Sequence, residues 1–73
     1  MNRLKELRVS NGYATQQDLA KAIQVWAGED RDKQVTYPSI ARMEAGGVNP
    51  RWNIVNALAH FFGVSAEYLM GAE

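Results

Sequence analysis

Hydrophobic residues recur along the chain at the three- and four-residue spacings of amphipathic helices. The pattern breaks and restarts so that it predicts helices at residues 3–11, 15–26, 37–45, 51–62 and 66–70. The clearest apolar set lies in the fourth of these helices: Val55, Leu58, Ala59 and Phe62. No segment shows the alternation of a half-buried strand, and no internal repeat is present. The pattern therefore predicts an all-α domain of five helices.

Three helix starts carry the same local signal. Thr15, Thr36 and Ser65 are residue types whose side-chain oxygen caps a helix by accepting a bond from a first-turn amide. Asp18 completes a weaker version of the capping box after Thr15. Each cap also has an apolar residue before it and another four residues after it, which is the spacing of a hydrophobic staple. Glycines, and a turn at 48–50, separate the helices.

The connection between the second and third helices is long. Residues 28–34 are polar, mixed in charge and without periodicity, which predicts a solvated loop. Trp26 and Trp52 are interpreted as large apolar fillers of a small core. Trp26 has a second interpretation, since it starts the long connection and is placed to cover it or to meet a partner.

Composition narrows the class of protein. The chain has 73 residues and no cysteine, so we expect a single domain held together by apolar packing, without a disulfide or a thiolate zinc site. Neither a signal-peptide pattern nor an apolar run of bilayer-spanning length is present, and we expect a cytoplasmic protein without membrane contact. No catalytic dyad, phosphate-binding glycine loop or cofactor motif appears, and His60 has no neighbour at metal-ligand spacing. The chain is therefore not interpreted as an enzyme, and no cofactor, metal or small-molecule substrate is expected.

Charge argues against a simple basic DNA-binding protein. Eight Lys and Arg residues balance eight Asp and Glu residues, whereas nucleic-acid-binding domains are usually basic. The distribution is asymmetric, because all eight cations and six of the acidic residues lie in residues 1–52, giving net +2, while the remainder is net −2. This asymmetry is compatible with one basic face.

The third helix has two distinct sides. At 100° per residue, Ile40 and Met43 share one side, and Arg42 and Pro38 lie nearly opposite. The outer side is small and neutral except for Arg42, which suits insertion into a DNA groove. Glu44 falls at the edge of the buried side, where a carboxylate needs a partner.

Taken in order, the motifs resemble those of the Cro and lambda-repressor family of bacterial and phage helix-turn-helix regulators. The segments that carry the resemblance are 4–8, 15–20, 35–40, 43–46, 49–50, 58–59, 62–65 and 68–70. The resemblance covers nearly the whole chain, residues 1–73 as one domain, and implies a sequence-specific, repressor-like regulator of transcription. Two departures stand out: an insertion at residues 24–34 in place of a tight turn, and Gly47 and Val48 where relatives often carry cations.

The resemblance also implies roles for particular residues. In this class the third helix enters the major groove of double-stranded DNA, and the start of the second helix meets the phosphate backbone. The implied DNA contacts are Gln16, Thr36, Tyr37, Pro38, Ser39, Arg42 and Arg51. Relatives pair Glu44 with the arginine at Arg8, so a structural Arg8–Glu44 ion pair is expected. A homodimer is expected as well, with Tyr68 and Met70 as candidates for its surface.

Four of these site residues have a plainer interpretation. Gln16 is otherwise an exposed first-turn glutamine, Thr36 a cap, Arg42 a surface cation and Tyr37 a partly buried core aromatic. A different function for the same fold is a protein-interaction module such as an antitoxin or an anti-regulator. The zero net charge, the missing cations at 47–48 and the long insertion favour that alternative.

Overall fold

The computed structural model describes residues 2–46 and 51–71. Over these ranges the chain forms five α-helices and one 3₁₀ turn, and no strand, which confirms the predicted all-α architecture. The α-helices are α1 (Leu4–Ser10), α2 (Gln16–Ala27), α3 (Tyr37–Glu44), α4 (Trp52–Phe62) and α5 (Ala66–Leu69), and the 3₁₀ turn is Arg31–Lys33. The predicted turn at 48–50 and the departures at Gly47 and Val48 lie outside the described residues.

All five helices contribute to one core. The largest side chains that are completely buried are Leu4, Leu19, Ile23, Ile40, Val55, Leu58 and Leu69. Helix α3 packs against α1 and α2, and α4 packs against α5 and the 3₁₀ turn. These apolar positions follow the helical periodicity of the sequence, so each helix buries one stripe and leaves the opposite side in solvent.

The helix ends follow local chemistry at most positions. Thr15 Oγ1 accepts a bond from the Asp18 amide at 3.0 Å, and the Asp18 carboxylate accepts one from the Thr15 amide at 3.3 Å, which completes the capping box. Ser65 Oγ accepts a bond from the Tyr68 amide at 3.0 Å. Helix α4 ends at Gly63, whose φ of 71° is a left-handed conformation that glycine adopts without strain.

Thr36 departs from the expected cap. It occupies the N-cap position of α3, but its side chain accepts no bond from a first-turn amide. Pro38 removes one of the two amides that a cap can use, and Thr36 Oγ1 instead lies 3.4 Å from Ser39 Oγ. The interpretation of Thr36 as a side-chain cap is therefore wrong, and its hydroxyl stays at the exposed start of α3.

This difference between the two threonines predicts different stability effects. We expect Thr15→Ala to lower the free energy of unfolding by about 1 kcal/mol, because it removes the capping bond to the first turn of α2. Thr36→Ala serves as the matched comparison and should cost clearly less, since no cap bond is lost. Urea denaturation followed by circular dichroism measures both values, and equal losses would contradict the assignment.

The long connection is more ordered than its polar sequence suggests. Residues 24–27 of the insertion complete α2, and the 3₁₀ turn in residues 28–34 packs against α4. The Asp30 carboxylate accepts a bond from the Asp32 amide at 3.0 Å, and Gln34 Nε2 donates to the Gly28 carbonyl at 2.8 Å. Residues 28–32 are all exposed, as expected for a solvated loop. The sequence did not predict the side-chain to backbone bonds that close the connection on itself, because such bonds leave no periodic signal. Helices α2 and α3 still pack directly together.

The two tryptophans have different environments. The Trp26 ring is half-buried and lies edge-on to His60 and Phe61, with both centroid distances 5.4 Å, and Lys33 Nζ lies 5.2 Å from its centroid. Trp26 therefore covers the junction between the long connection and α4. Trp52 is 63% exposed, so the prediction that it fills the core is wrong. As the first residue of α4 it lies at the start of the helix, where an apolar side chain need not reach the core.

Candidate nucleic-acid interface

Helix α3 presents a solvent face that is free of acidic side chains. Ile40 and Met43 are buried, whereas Tyr37, Pro38 and Arg42 are exposed. This arrangement agrees with the two sides that the sequence predicts for the helix. Tyr37 is 43% exposed, which argues against its interpretation as a core aromatic.

Arg42 carries the positive charge of this face. Within the described residues its guanidinium has no ion pair or hydrogen bond with another side chain. Thr36 and Ser39 lie at the start of the same helix, with their hydroxyl oxygens 3.4 Å apart. The face thus combines one unpaired guanidinium, a phenol and two hydroxyl groups, all of which can hydrogen-bond to nucleic acid.

The acidic residue of α3 is turned inward and neutralised. Arg8 Nε donates to Glu44 Oε2 at 2.7 Å and Arg8 Nη2 donates to Glu44 Oε1 at 3.3 Å. The two side chains are 7% and 5% exposed, so the pair that the sequence analysis expects is present and buried. Arg8 Nη1 also donates to the carbonyl oxygens of Tyr13 and Ala14, at 2.9 and 2.7 Å. One guanidinium therefore joins α1, the turn before α2 and the end of α3.

Gln16 makes a contact that the sequence did not predict. Its Nε2 donates to Glu44 Oε1 at 3.1 Å, from the first residue of α2 to the last residue of α3. The two residues are 28 positions apart, so no local pattern signals the bond. An amide nitrogen has two hydrogens, and the second one remains for another acceptor. The helix start adds its own amides and the positive end of the dipole, which favour an anion.

Arg51 lies apart from this group. It is the exposed N-cap residue of α4, and its carbonyl oxygen accepts bonds from the Ile54 and Val55 amides at 3.0 and 3.1 Å. Over residues 2–46 and 51–71 it makes no side-chain hydrogen bond or ion pair with the other predicted DNA contacts. The structure thus links Gln16 to α3 through Glu44. Arg42 shares α3 and its start with four other predicted contacts: Thr36, Tyr37, Pro38 and Ser39. Arg51 is a separate cation.

A metal centre and a membrane span find no support in the described parts of the chain. No group of three His, Cys, Asp or Glu side chains there is placed to hold a metal ion. His60 is exposed and lies against Trp26. None of the described helices has the length and apolar character needed to cross a membrane.

Comparison with known families identifies the class. The model of a helix-turn-helix domain family matches residues 2–69, and the chain belongs to this family. Proteins of this family are DNA-binding regulators and are typically not enzymes. The match confirms the resemblance to helix-turn-helix regulators that the motifs indicated. Comparisons with curated proteins and with solved structures find no match.

Proposed function

We propose that this protein binds double-stranded DNA in a sequence-specific manner and acts as a repressor-like regulator of transcription, with α3 in the major groove. The observation that carries the proposal is the solvent face of α3, where Arg42 is exposed while Glu44 is buried against Arg8. A groove is lined by phosphates, so an inward, neutralised carboxylate and an outward cation favour close approach.

The exposed side chains of α3 recognise the bases. Arg42 donates both arms of its guanidinium to guanine O6 and N7. Tyr37 places its hydroxyl on a base edge or a phosphate and its ring against a thymine methyl group. Pro38 and Ser39 are small enough for the helix start to approach the base edges. Thr36 donates its hydroxyl, which is not used as a cap, to a phosphate.

Contacts to the DNA backbone come from two helix starts. Gln16 binds a phosphate through its amide nitrogen, supported by the free amides at the start of α2. Arg51 binds a second phosphate from the start of α4. These contacts fix the position of α3 on the duplex and carry no sequence information by themselves.

A homodimer completes the proposal. Two copies on half-sites one helical turn apart, about 34–36 Å, double the contact area of a small domain and give two-fold related operators. The candidate dimer surface is at α5, where Tyr68 is 38% exposed and Met70 is half-buried. Arg3 adds a positive charge beside this surface, since its guanidinium carbon lies 4.2 Å from the centroid of the Tyr68 ring.

Selection of bound duplexes from a random DNA pool tests the proposal. We expect an enriched sequence with two-fold symmetry, and tighter binding to it than to a scrambled duplex. The net charge of zero favours a second candidate, a protein-interaction module with the same fold. No measurable binding to any duplex at low salt would reject DNA binding and leave that candidate.

Arg51 offers a test of backbone contact alone. We expect Arg51→Ala to weaken binding to selected and scrambled duplexes by the same factor, and to lower the slope of log affinity against log salt by about one unit. Titrations at several salt concentrations measure the slope. Lys5→Ala removes the same charge from an exposed position of α1 and should leave the slope unchanged. A loss confined to the selected duplex would show that Arg51 reads bases.

A further inference from the structure

Glu44 connects two parts of the molecule that the proposed function uses separately. Its carboxylate accepts bonds from Arg8 through both oxygens, and Oε1 also accepts a bond from Gln16 Nε2 at 3.1 Å. The side chain is 5% exposed, so Glu44 itself is not available to a large ligand. Glu44 therefore contacts Gln16, the proposed phosphate-binding residue of α2, from inside the protein. It is also the last residue of α3, the proposed base-reading helix.

The chemistry of the two side chains fixes the orientation of the Gln16 amide. A carboxamide has a donor end and an acceptor end, whereas a carboxylate only accepts hydrogen bonds. Glu44 therefore selects the nitrogen end of Gln16 and repels its oxygen end. One hydrogen of that nitrogen is bonded to Glu44, and the other is directed away from it in the amide plane. A phosphate oxygen also only accepts, so it requires this second hydrogen.

We infer that Glu44 is a positioning residue for the DNA backbone contact, holding the Gln16 amide so that it donates to phosphate and tying that contact to the orientation of α3. The inference rests on the proposed function. Without Glu44 the Gln16 amide is free to rotate, so a phosphate has to order it on binding and the contact is weaker. A residue that does not touch DNA thus contributes to DNA affinity through Gln16.

A double-mutant cycle tests the link. Gln16→Met keeps the length of the side chain and removes its donor, and Glu44→Met keeps a similar length and removes every hydrogen-bonding group that could orient the Gln16 amide. We expect Gln16→Met to weaken binding to the selected duplex by about 10-fold in the wild-type background and by less than about 2-fold in the Glu44→Met background. Gln17→Met is the matched control, because Gln17 is the next residue of α2 and is exposed. It should leave the affinity unchanged.

The outcomes separate the inference from the function on which it rests. Equal losses from Gln16→Met in both backgrounds would overturn the inference and leave DNA binding in place. A wild-type protein that binds no duplex at low salt would overturn both. A purely structural role of Glu44 would lower stability and affinity together without changing the effect of Gln16→Met, so urea denaturation of every variant is measured in parallel.

A second measurement does not depend on variants of the ion pair. In ¹⁵N-resolved NMR spectra of the wild type, we expect one side-chain amide hydrogen of Gln16 to exchange more slowly than those of Gln17, because Glu44 protects it. Addition of the selected duplex should then shift the resonance of the other hydrogen. Amide resonances of Gln16 that match those of Gln17, both before and after the addition, would overturn the inference even if Glu44→Met fails to fold.

Discussion

Arg8→Met is expected to lower the free energy of unfolding by about 3–5 kcal/mol, the largest stability effect we predict for a single substitution. The methionine fills a similar volume but leaves the buried Glu44 carboxylate without its cation. It also removes the donor to the carbonyl oxygens of Tyr13 and Ala14, which precede the Thr15 cap. A loss of this size takes much of the stability available to a small domain. Urea denaturation followed by circular dichroism measures it.

Two further variants identify the cause of that loss. Lys5→Met makes the same kind of change at an exposed position of α1 and should shift the stability by no more than about 0.5 kcal/mol. Combining Arg8→Met with Glu44→Met removes both charges, so the double variant should be more stable than Arg8→Met alone. A double variant as unstable as the sum of the two single losses would show that the pair acts through packing and not through a buried charge.

Arg42→Ala is expected to have the largest effect on recognition. We expect it to weaken binding to the selected duplex by about 1–3 kcal/mol and to relax the preference at one base position, because a bidentate contact to guanine is lost. Binding to a scrambled duplex should change much less. Titrations on both duplexes at fixed salt, and a second selection with the variant, measure these effects.

The control for Arg42→Ala is Arg51→Ala, because Arg51 is proposed to contact the DNA backbone. The two substitutions remove one positive charge each, so a difference between them reports position and not net charge. If Arg42→Ala weakens binding to both duplexes equally, as we expect for Arg51→Ala, then Arg42 contacts phosphate and does not read bases. Circular dichroism of Arg42→Ala should be unchanged, since the side chain is exposed and has no partner within the described residues.

The sequence alone predicted the features that depend on neighbouring residues. The bounds of the helices follow from caps, glycines and apolar spacing, all of which act over a few residues. The buried and exposed sides of α3 follow from its period of 3.6, which places Ile40 opposite Arg42. The pairing of Arg8 with Glu44, which are 36 positions apart, came from a carboxylate at the core edge together with the family resemblance.

Features that depend on contacts between distant elements were missed or misjudged. The burial of Trp52 was predicted from its residue type, but its place at the start of α4 leaves the ring in solvent. Residues 28–34 were predicted to be a solvated loop, and residues 28–32 are exposed, but the local order of this loop was missed because polar side chains leave no hydrophobic pattern. Their bonds to the backbone and their packing on α4 become visible only when the helices are assembled.

The sequence by itself thus determined the helices, the two sides of α3 and the residue types available for DNA, because these depend on local periodicity and side-chain chemistry. The tertiary structure decided which polar groups are used inside the molecule and which remain for a ligand. Gln16 and Arg42 both present donors in the sequence, but folding brings Gln16 within 3.1 Å of Glu44 and leaves Arg42 exposed. Hydrogen bonds act over about 3 Å in space, whatever the separation along the chain, and so only packing fixes the partners.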